Sequence, residues 1–179
     1  MLGQFLGDFA RGPLEALPYP EKVRRGIRAH RRVDAAGENH PALKSVKRLL
    51  PEKEKRFGGI LFDLYGDYLL HRNWDRLMDR SWPVTVVLIE QFFASPPLPF
   101  PDDAARYAGY LLEYRILQAY EQAEQLPDIF DRVGRRFRKP VPLAAMLKRL
   151  RVHEDLFLNE FPDYFSDMKA ASDQISFST

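Results

Sequence analysis

Two aspartates, Asp63 and Asp67, lie four residues apart within a strongly apolar stretch of the sequence. Residues at this spacing share one face of an α-helix. The burial of two like charges costs free energy unless a cation or an arginine neutralises them. The pair therefore favours a site that holds a cation, with a buried salt-bridge network through His71 or Arg72 as the alternative.

A histidine and an aspartate repeat this spacing at His30 and Asp34. Their side chains can bind one metal ion together, or they can form a hydrogen-bonded pair at the surface. A further carboxylate, Asp8, lies between Leu6 and Phe9 with glycines close by. This position favours either a carboxylate directed into an apolar pocket or the cap of a helix end.

The absence of cysteine and of several catalytic motifs limits the kinds of site that the sequence can form. The sequence has no cysteine, which excludes disulfides and thiolate metal sites. Any bound metal must use His, Asp or Glu, and these hard ligands favour Mn²⁺, Mg²⁺ or Fe²⁺. The sequence also has no glycine-rich phosphate loop, no Gly-x-Ser-x-Gly elbow and no His-Glu-x-x-His motif. A serine nucleophile therefore has no support.

The elements that must position these residues are predicted to be helices. Prolines divide the chain, and between them apolar residues recur every three to four positions. The β-branched run at 84–89 follows a Ser-Trp-Pro cap, so it is also predicted to be helical. The predicted helices cover residues 21–35, 41–50, 57–77, 82–93, 102–124 and 142–167. They predict an all-α protein in which residues 1–179 form a single compact bundle of about six to eight helices.

Composition is that of a globular protein, with 45% hydrophobic and 29% charged residues. No apolar run approaches the roughly 18 residues of a membrane span. The first residues lack the basic and apolar regions of a signal peptide. Together with the absence of cysteine, this pattern leads us to expect a cytoplasmic protein without a membrane span.

The formal net charge of +2 conceals an uneven distribution of charge. Residues 21–56 contain 12 Lys and Arg against 5 Asp and Glu, and residues 132–151 contain 8 Lys and Arg with no acid. Two basic stretches favour an anionic partner, because such fields steer association. A solvated face that is balanced by acids elsewhere in the fold is the alternative. Nucleic acid is not expected, because no motif that reads bases accompanies the basic stretches.

Three motifs in order resemble the acyl carrier protein phosphodiesterase family. Residues 3–12 (GQFLGDFARG) resemble its opening Gly-Asn-x-x-x-Asp-Phe-x-[Lys/Arg]-Gly. Residues 26–34 (GIRAHRRVD) are similar to its Gly-Ile-x-x-His-Arg-x-Ile-Asp segment. Residues 62–74 (FDLYGDYLLHRNW) are similar to its Asp-x-x-x-Asp-His-Phe-Leu-x-x-x-Trp helix, and Glu160-Phe161-Pro162 resembles its ending.

The resemblance implies an activity, a cofactor and a partner. The family hydrolyses the phosphodiester between 4′-phosphopantetheine and the serine of holo-acyl carrier protein, depends on Mn²⁺, and is a distant relative of the HD-type metal phosphohydrolases. An HD-like all-α fold is therefore expected. The implied metal ligands are Asp8, His30, Asp34 and Asp67.

The remaining implied roles concern catalysis and recognition. Asp63 would be a further ligand or an orienting base, and Arg31 and Arg32 would hold the phosphate through bidentate bonds. The acidic carrier would be recognised through Arg24, Arg25 and Arg28.

This chain departs from the family pattern at several places. Tyr68 stands where the family has histidine, and Gly37-Glu38 stands where it has Thr-Asp. We also expect this chain to lack the family's N-terminal helix, which precedes the first motif and bears a histidine that the resemblance implies as a metal ligand. Two other functions therefore stay open. One is an HD-like phosphohydrolase acting on a nucleotide or another phosphodiester, and the other is a degenerate member that binds an acidic carrier without catalysis.

Overall fold

A computed structural model describes residues 1–173, and these residues form α-helices and short 3-10 helices without a β-strand. The α-helices are α1 (Leu2–Leu6), α2 (Glu21–Glu38), α3 (Pro41–Arg48), α4 (Gly58–Arg72), α5 (Trp74–Leu77), α6 (Trp82–Ala94), α7 (Asp102–Glu113), α8 (Ile116–Ala119), α9 (Leu126–Arg135), α10 (Leu143–Arg151) and α11 (Glu154–Asp173). The predicted all-α class is confirmed. None of the helices in this part of the chain combines the length and apolar character that a bilayer crossing needs.

Three helices agree with the prediction at or near their first residues. α2 begins directly after Pro20, as predicted, and continues past residue 35 to Glu38. α3 begins at Pro41 because the His40 ring caps it, accepting a hydrogen bond of 3.1 Å from the backbone N–H of Ala42. The β-branched run at 84–89 lies inside α6 and is helical as predicted.

Three predicted helices are interrupted, so the described residues contain more helices than the six to eight expected. The helix predicted over 57–77 is divided at Asn73, whose side chain donates a hydrogen bond of 3.0 Å to the last turn of α4. The helix predicted over 102–124 breaks because Arg115 adopts a left-handed conformation, with φ of 47° and ψ of 46°. A short turn divides the helix predicted over 142–167 into α10 and α11.

The main core is built by α3, α4 and the helices from α8 to α11. α9, which was not predicted, buries Leu126, Ile129 and Phe130 at helical spacing, in the same core as the fully buried Tyr65 and Leu69 of α4. Residues from both sides of the break between α10 and α11 enter the same core, among them Met146, Leu150, Phe157 and Phe161. The core thus holds α4 in place along its length.

A second, smaller core joins α1 to α2. Leu6 and Ile27 are buried between these helices. Phe5 packs against this second core, and aromatic residues near α6 and α7 pack against Phe5. The helices approach closely because Gly3 faces Gly26, where a Cβ atom on Gly26 would lie only 2.7 Å from the Gly3 Cα atom. The short helix α1 is therefore held by packing, since five residues are too few for a stable isolated helix.

We expect Gly26→Ala to lower the free energy of unfolding by about 1–3 kcal/mol, because the added methyl group overpacks the contact between two backbones. Gly109→Ala is the matched control, since no atom outside α7 lies within 4 Å of the added Cβ atom. That control should raise the stability by about 0.5–1 kcal/mol. Urea unfolding measures both values, and equal stability of the two variants would contradict the close approach of α1 and α2.

Candidate active site

The Nε2 atom of His30 lies between two carboxylates. It is 3.3 Å from Oδ1 of Asp8 and 3.1 Å from Oδ2 of Asp34. Only 18% of the His30 side chain is exposed, whereas 65% of Asp8 and 60% of Asp34 is exposed. Neither carboxylate is aligned as a hydrogen-bond partner, and the Nε2 atom is buried without one. The structure therefore brings together three residues that the first two motifs supply, at the edge of solvent.

Local structure explains how these three side chains meet. His30 and Asp34 are one helical turn apart on α2 and share a face. Asp8 follows the end of α1, and the residue before it is Gly7. A Cβ atom on Gly7 would collide with the His30 ring, so glycine is required where the ring lies against the backbone of the N-terminal segment.

Partial burial and interactions within this group shift the pKa values of two members. The pKa of His30 is raised, first by its interaction with Asp8 and also by the charge of Asp34, while partial burial opposes the rise. The pKa of Asp34 is raised by partial burial, to which the charges of Asp8 and Glu38 add, and the His30 charge lowers it. In the absence of another cation, His30 is thus the group that offsets the surrounding carboxylates.

Asp63 and Asp67 of α4 extend this acidic group. Asp63 and Asp34 line one cavity of about 420 Å³, which is open to solvent. The prediction that Asp63 and Asp67 are buried is wrong, because both side chains reach solvent. The surrounding protein nevertheless reduces their hydration, which raises each pKa to about 6, and the charges of Asp34 and Asp8 add to the rise at Asp63. No arginine pairs with either carboxylate among residues 1–173, so the salt-bridge alternative finds no support there.

Three tyrosines surround the acids, and sequence reasoning did not assign them to the site. Partial burial and then the charges of nearby aspartates raise the pKa of Tyr107 and of Tyr164 to about 12. Burial raises the pKa of Tyr120 further, and hydrogen bonding from its hydroxyl group lowers the pKa of Asp67. These hydroxyl groups stay protonated near neutral pH, so each can donate a hydrogen bond.

The expected phosphate-binding arginines lie beside this group. An Nη2 atom of Arg31 donates a hydrogen bond of 2.8 Å to the backbone carbonyl of Ala10, and this bond ties the N-terminal segment to α2. Arg32 is exposed. The contact of Arg31 and Arg32 with phosphate therefore stays a prediction.

The expected carrier-binding arginines lie on the exposed side of α2. Arg24 donates a hydrogen bond of 3.1 Å from its Nε atom to Glu21, and Arg28 lies 3.9 Å from the same carboxylate. Arg25 is exposed and has no carboxylate within 4 Å in the described part of the chain. Recognition of an acidic partner by these residues stays a prediction.

Two residues of α4 that were considered for the site lie elsewhere. Tyr68 is buried, donates a hydrogen bond of 2.7 Å to Glu154 of α11 and accepts one of 2.9 Å from Arg72. The ring of His71 packs against Trp82 at a centroid distance of 5.0 Å, beside a different cavity of about 660 Å³. Tyr68 therefore fastens α4 to α11.

The donors at His30 suit a hard divalent cation. Two carboxylate oxygens and a buried imidazole nitrogen without a hydrogen-bond partner converge there, next to an excess of negative charge. Among residues 1–173, no group of three or more His, Asp or Glu side chains already has the arrangement of a metal site. The donor chemistry fits the cation that the family resemblance implied.

The pKa of Asp63 has a consequence for stability. Because the folded-state pKa of about 6 lies above the usual carboxyl value of 3.8, the folded state binds this proton more tightly than the unfolded state. The resulting stabilisation is present below the usual value and is lost as the pH rises through about 6. In metal-free protein, the Tm of Asp63→Asn relative to wild type should therefore be higher at about pH 7.5 than at about pH 4.5.

Thermal unfolding followed by circular dichroism, with a chelator present, measures this difference. Asp79→Asn is the control, since Asp79 is exposed and has no ion pair within 4 Å in the described residues. A Tm difference for Asp63→Asn that does not change with pH would show that folding does not raise the pKa of Asp63.

Comparison with known proteins gives a consistent result. The family model described as acyl carrier protein phosphodiesterase matches residues 1–168. A protein named acyl carrier protein phosphodiesterase from Yersinia pestis is 31% identical to this chain, over 90% of this chain and 86% of the relative. A protein of the same name from Yersinia enterocolitica is also 31% identical, over 93% of this chain and 88% of the relative. One from Photorhabdus laumondii is 26% identical, over 86% and 77%. No solved structure matches, so the HD-like relationship stays a prediction. The chain belongs to the acyl carrier protein phosphodiesterase family.

Proposed function

We propose that this protein hydrolyses the phosphodiester that joins 4′-phosphopantetheine to the serine of holo-acyl carrier protein, and so releases apo-acyl carrier protein. The observation that carries the proposal is the convergence of two carboxylates on one imidazole nitrogen. An oxygen of Asp8 and an oxygen of Asp34 each lie within 3.3 Å of Nε2 of His30. Family membership supports the reaction class, because the relatives bear the name of this activity.

The proposal includes a divalent cation held by Asp8, His30, Asp34 and Asp67. Mn²⁺ is the expected ion, with Mg²⁺ or Fe²⁺ as alternatives, since the donors are oxygen and imidazole nitrogen. When bound, such an ion polarises phosphoryl oxygens and lowers the pKa of water. Without a cation, the clustered carboxylates would repel an anionic phosphodiester.

Residues of this chain would supply proton transfer and hydrogen bonds. Asp63, with a pKa of about 6, is ionised near neutral pH and is our candidate for the base that accepts a proton from water. The neutral hydroxyl groups of Tyr107, Tyr120 and Tyr164 are hydrogen-bond donors beside the carboxylates. Donors at such positions stabilise the charge that develops on phosphoryl oxygens.

The partner in this proposal is an acidic protein. Acyl carrier protein appears in the names of the relatives, and the basic stretches at 21–56 and 132–151 complement a negative surface. Arg25 is exposed and has no carboxylate partner within 4 Å in the described residues, so it is available for such a contact. A cytoplasmic location follows if the substrate is the carrier of fatty acid synthesis.

Incubation of purified protein with holo-acyl carrier protein and Mn²⁺ tests the activity. Intact-mass spectrometry should show conversion of the carrier to its apo form, together with free 4′-phosphopantetheine in solution. His30→Ala should reduce the rate by about 100-fold or more, since loss of even an outer-shell partner of a metal costs about 10- to 100-fold.

His153→Ala is the matched control, because His153 is exposed and forms no ion pair among residues 1–173. It should retain the wild-type rate. An unchanged carrier mass with wild-type protein would refute the proposal. Turnover of nucleotides without action on holo-carrier would instead favour a phosphohydrolase of different specificity, and carrier binding without metal uptake would favour a non-catalytic binding protein.

A further inference from the structure

Three tyrosines and two arginines form a contiguous row of packed side chains between α7 and α9. We call it the tyrosine–arginine ladder, and its members are Tyr107, Tyr110, Tyr114, Arg132 and Arg136. The ring of Tyr110 lies 6.4 Å from that of Tyr107 and 4.9 Å from that of Tyr114, measured between centroids. The Cζ atom of Arg136 lies 3.8 Å from the centroid of Tyr110, and that of Arg132 lies 4.9 Å from the centroid of Tyr114.

One end of the ladder adjoins the acidic group. The ring of Tyr107 packs against Phe9 at a centroid distance of 6.0 Å, and Phe9 directly follows Asp8 in the chain. The charges of Asp67 and Asp8 raise the pKa of Tyr107 in addition to the larger effect of burial, and the charge of Arg136 lowers it. Tyr107 is therefore close to the carboxylates on one side and to a guanidinium group on the other.

The two arginines keep their charge available. Both are exposed, and neither has a carboxylate within 4 Å in the part of the chain that the structure describes. Their neighbour Arg135 differs, since its Nη2 atom lies 2.7 Å from Asp131. A guanidinium group that lies over a ring is held by a cation–π interaction, while the N–H groups around its edge stay free to bind an anion. Such an edge suits the paired oxygens of a phosphate.

The other end of the ladder adjoins a cavity of about 570 Å³. Its lining includes Tyr114 and Arg132 together with three amide side chains, Gln118, Gln122 and Gln125. The Nε2 atom of Gln118 donates to Glu90 at 2.6 Å, while its Oε1 atom has no donor among the described residues. The volume is in the range of small-molecule sites, and the amides match a ligand that itself carries amide groups.

These features point to the part of the substrate that leaves with the phosphate. We infer that the tyrosine–arginine ladder binds the phosphopantetheine group, and this inference rests on the proposed function. Arg136 contacts the phosphate next to the acidic group, and the amide-bearing arm runs along the tyrosines to the cavity beside Arg132. Two occupants of the cavity can be compared. A flexible arm with two amide groups can enter a concave cavity lined by amide side chains, whereas the surface of a folded protein fits such a cavity less well. An acidic face of the carrier is the competing occupant.

Isothermal titration of 4′-phosphopantetheine into the protein tests this inference without a need for turnover. Wild-type protein should bind the compound. Arg136→Gln should weaken binding by about 10- to 100-fold, because a charge-assisted hydrogen bond to phosphate is lost. Arg135→Gln is the matched control, since Arg135 is already paired with Asp131, and its affinity should stay at the wild-type value.

A second probe separates the phosphate from the arm. Pantetheine, which lacks the phosphate, should lose little affinity from Arg136→Gln and should be weakened by Gln118→Leu in the cavity wall. Absence of binding to wild-type protein, or equal affinities of Arg136→Gln and Arg135→Gln, would overturn the inference. The inference is also overturned if Arg136→Gln weakens only the binding of holo-carrier, in a salt-dependent way, and leaves the binding of free 4′-phosphopantetheine unchanged.

The result is independent of the test of catalysis. A wild-type protein that fails to release phosphopantetheine from the carrier would refute the proposed reaction, whatever the titration shows. A protein that catalyses the reaction but binds 4′-phosphopantetheine equally well in all variants would refute only the role of the ladder.

Discussion

The approach of α1 to α2 through paired glycines is the contact on which the rest of the site depends. Gly3 and Gly26 lie so close together that a Cβ atom on either would collide with the backbone of the other. One turn further along the chain from each of them, Gly7 faces His30. A side chain at Gly7 would occupy the place of the His30 ring. Because Asp8 follows Gly7 directly, the same contact sets the distance between its carboxylate and His30. Packing of small residues therefore determines the geometry of charged ones.

That geometry concentrates negative charge to a degree that a stable fold otherwise avoids. The raised pKa values of Asp34, Asp63 and Asp67 record the cost, since each carboxylate loses hydration and two gain repulsion from acidic neighbours on other elements. Tyr68 and Glu154 on the far side of α4 hold the helix in place through a 2.7 Å hydrogen bond. The helix thus bears its acids at the surface of a cleft while its opposite face is fixed in the core.

Much of the fold was predictable, because helical spacing of apolar residues is a local signal. The breaks were less so, since the left-handed turn at Arg115 occurs without glycine and has no local marker. The sequence correctly suggested that His30 and Asp34 share a face, whereas the burial of Asp63 and Asp67 was wrongly inferred from apolar neighbours. Most of those neighbours point into the main core, whereas the two aspartates lie on the part of α4 that reaches solvent.

The tyrosines show a different limit. Tyr107 lies within the helix predicted over 102–124, and nothing in its local sequence connects it with Asp8 or Asp67, which are distant in the chain. Only the packing of α7 against the N-terminal segment brings them together. Long-range contacts of this kind cannot be obtained from periodicity.

Charge balance links the acidic group to the ladder. A phosphodiester is an anion, so a cleft of carboxylates requires positive charge on the substrate side as well as any cation it binds. On α2, Arg24 and Arg28 do not supply it freely, because Glu21 pairs with Arg24 and approaches Arg28. A tyrosine ring orients the guanidinium group of Arg136 without neutralising it. Aromatic stacking therefore keeps an ordered positive charge near Tyr107, the same side chain whose pKa the charges of Asp67 and Asp8 raise.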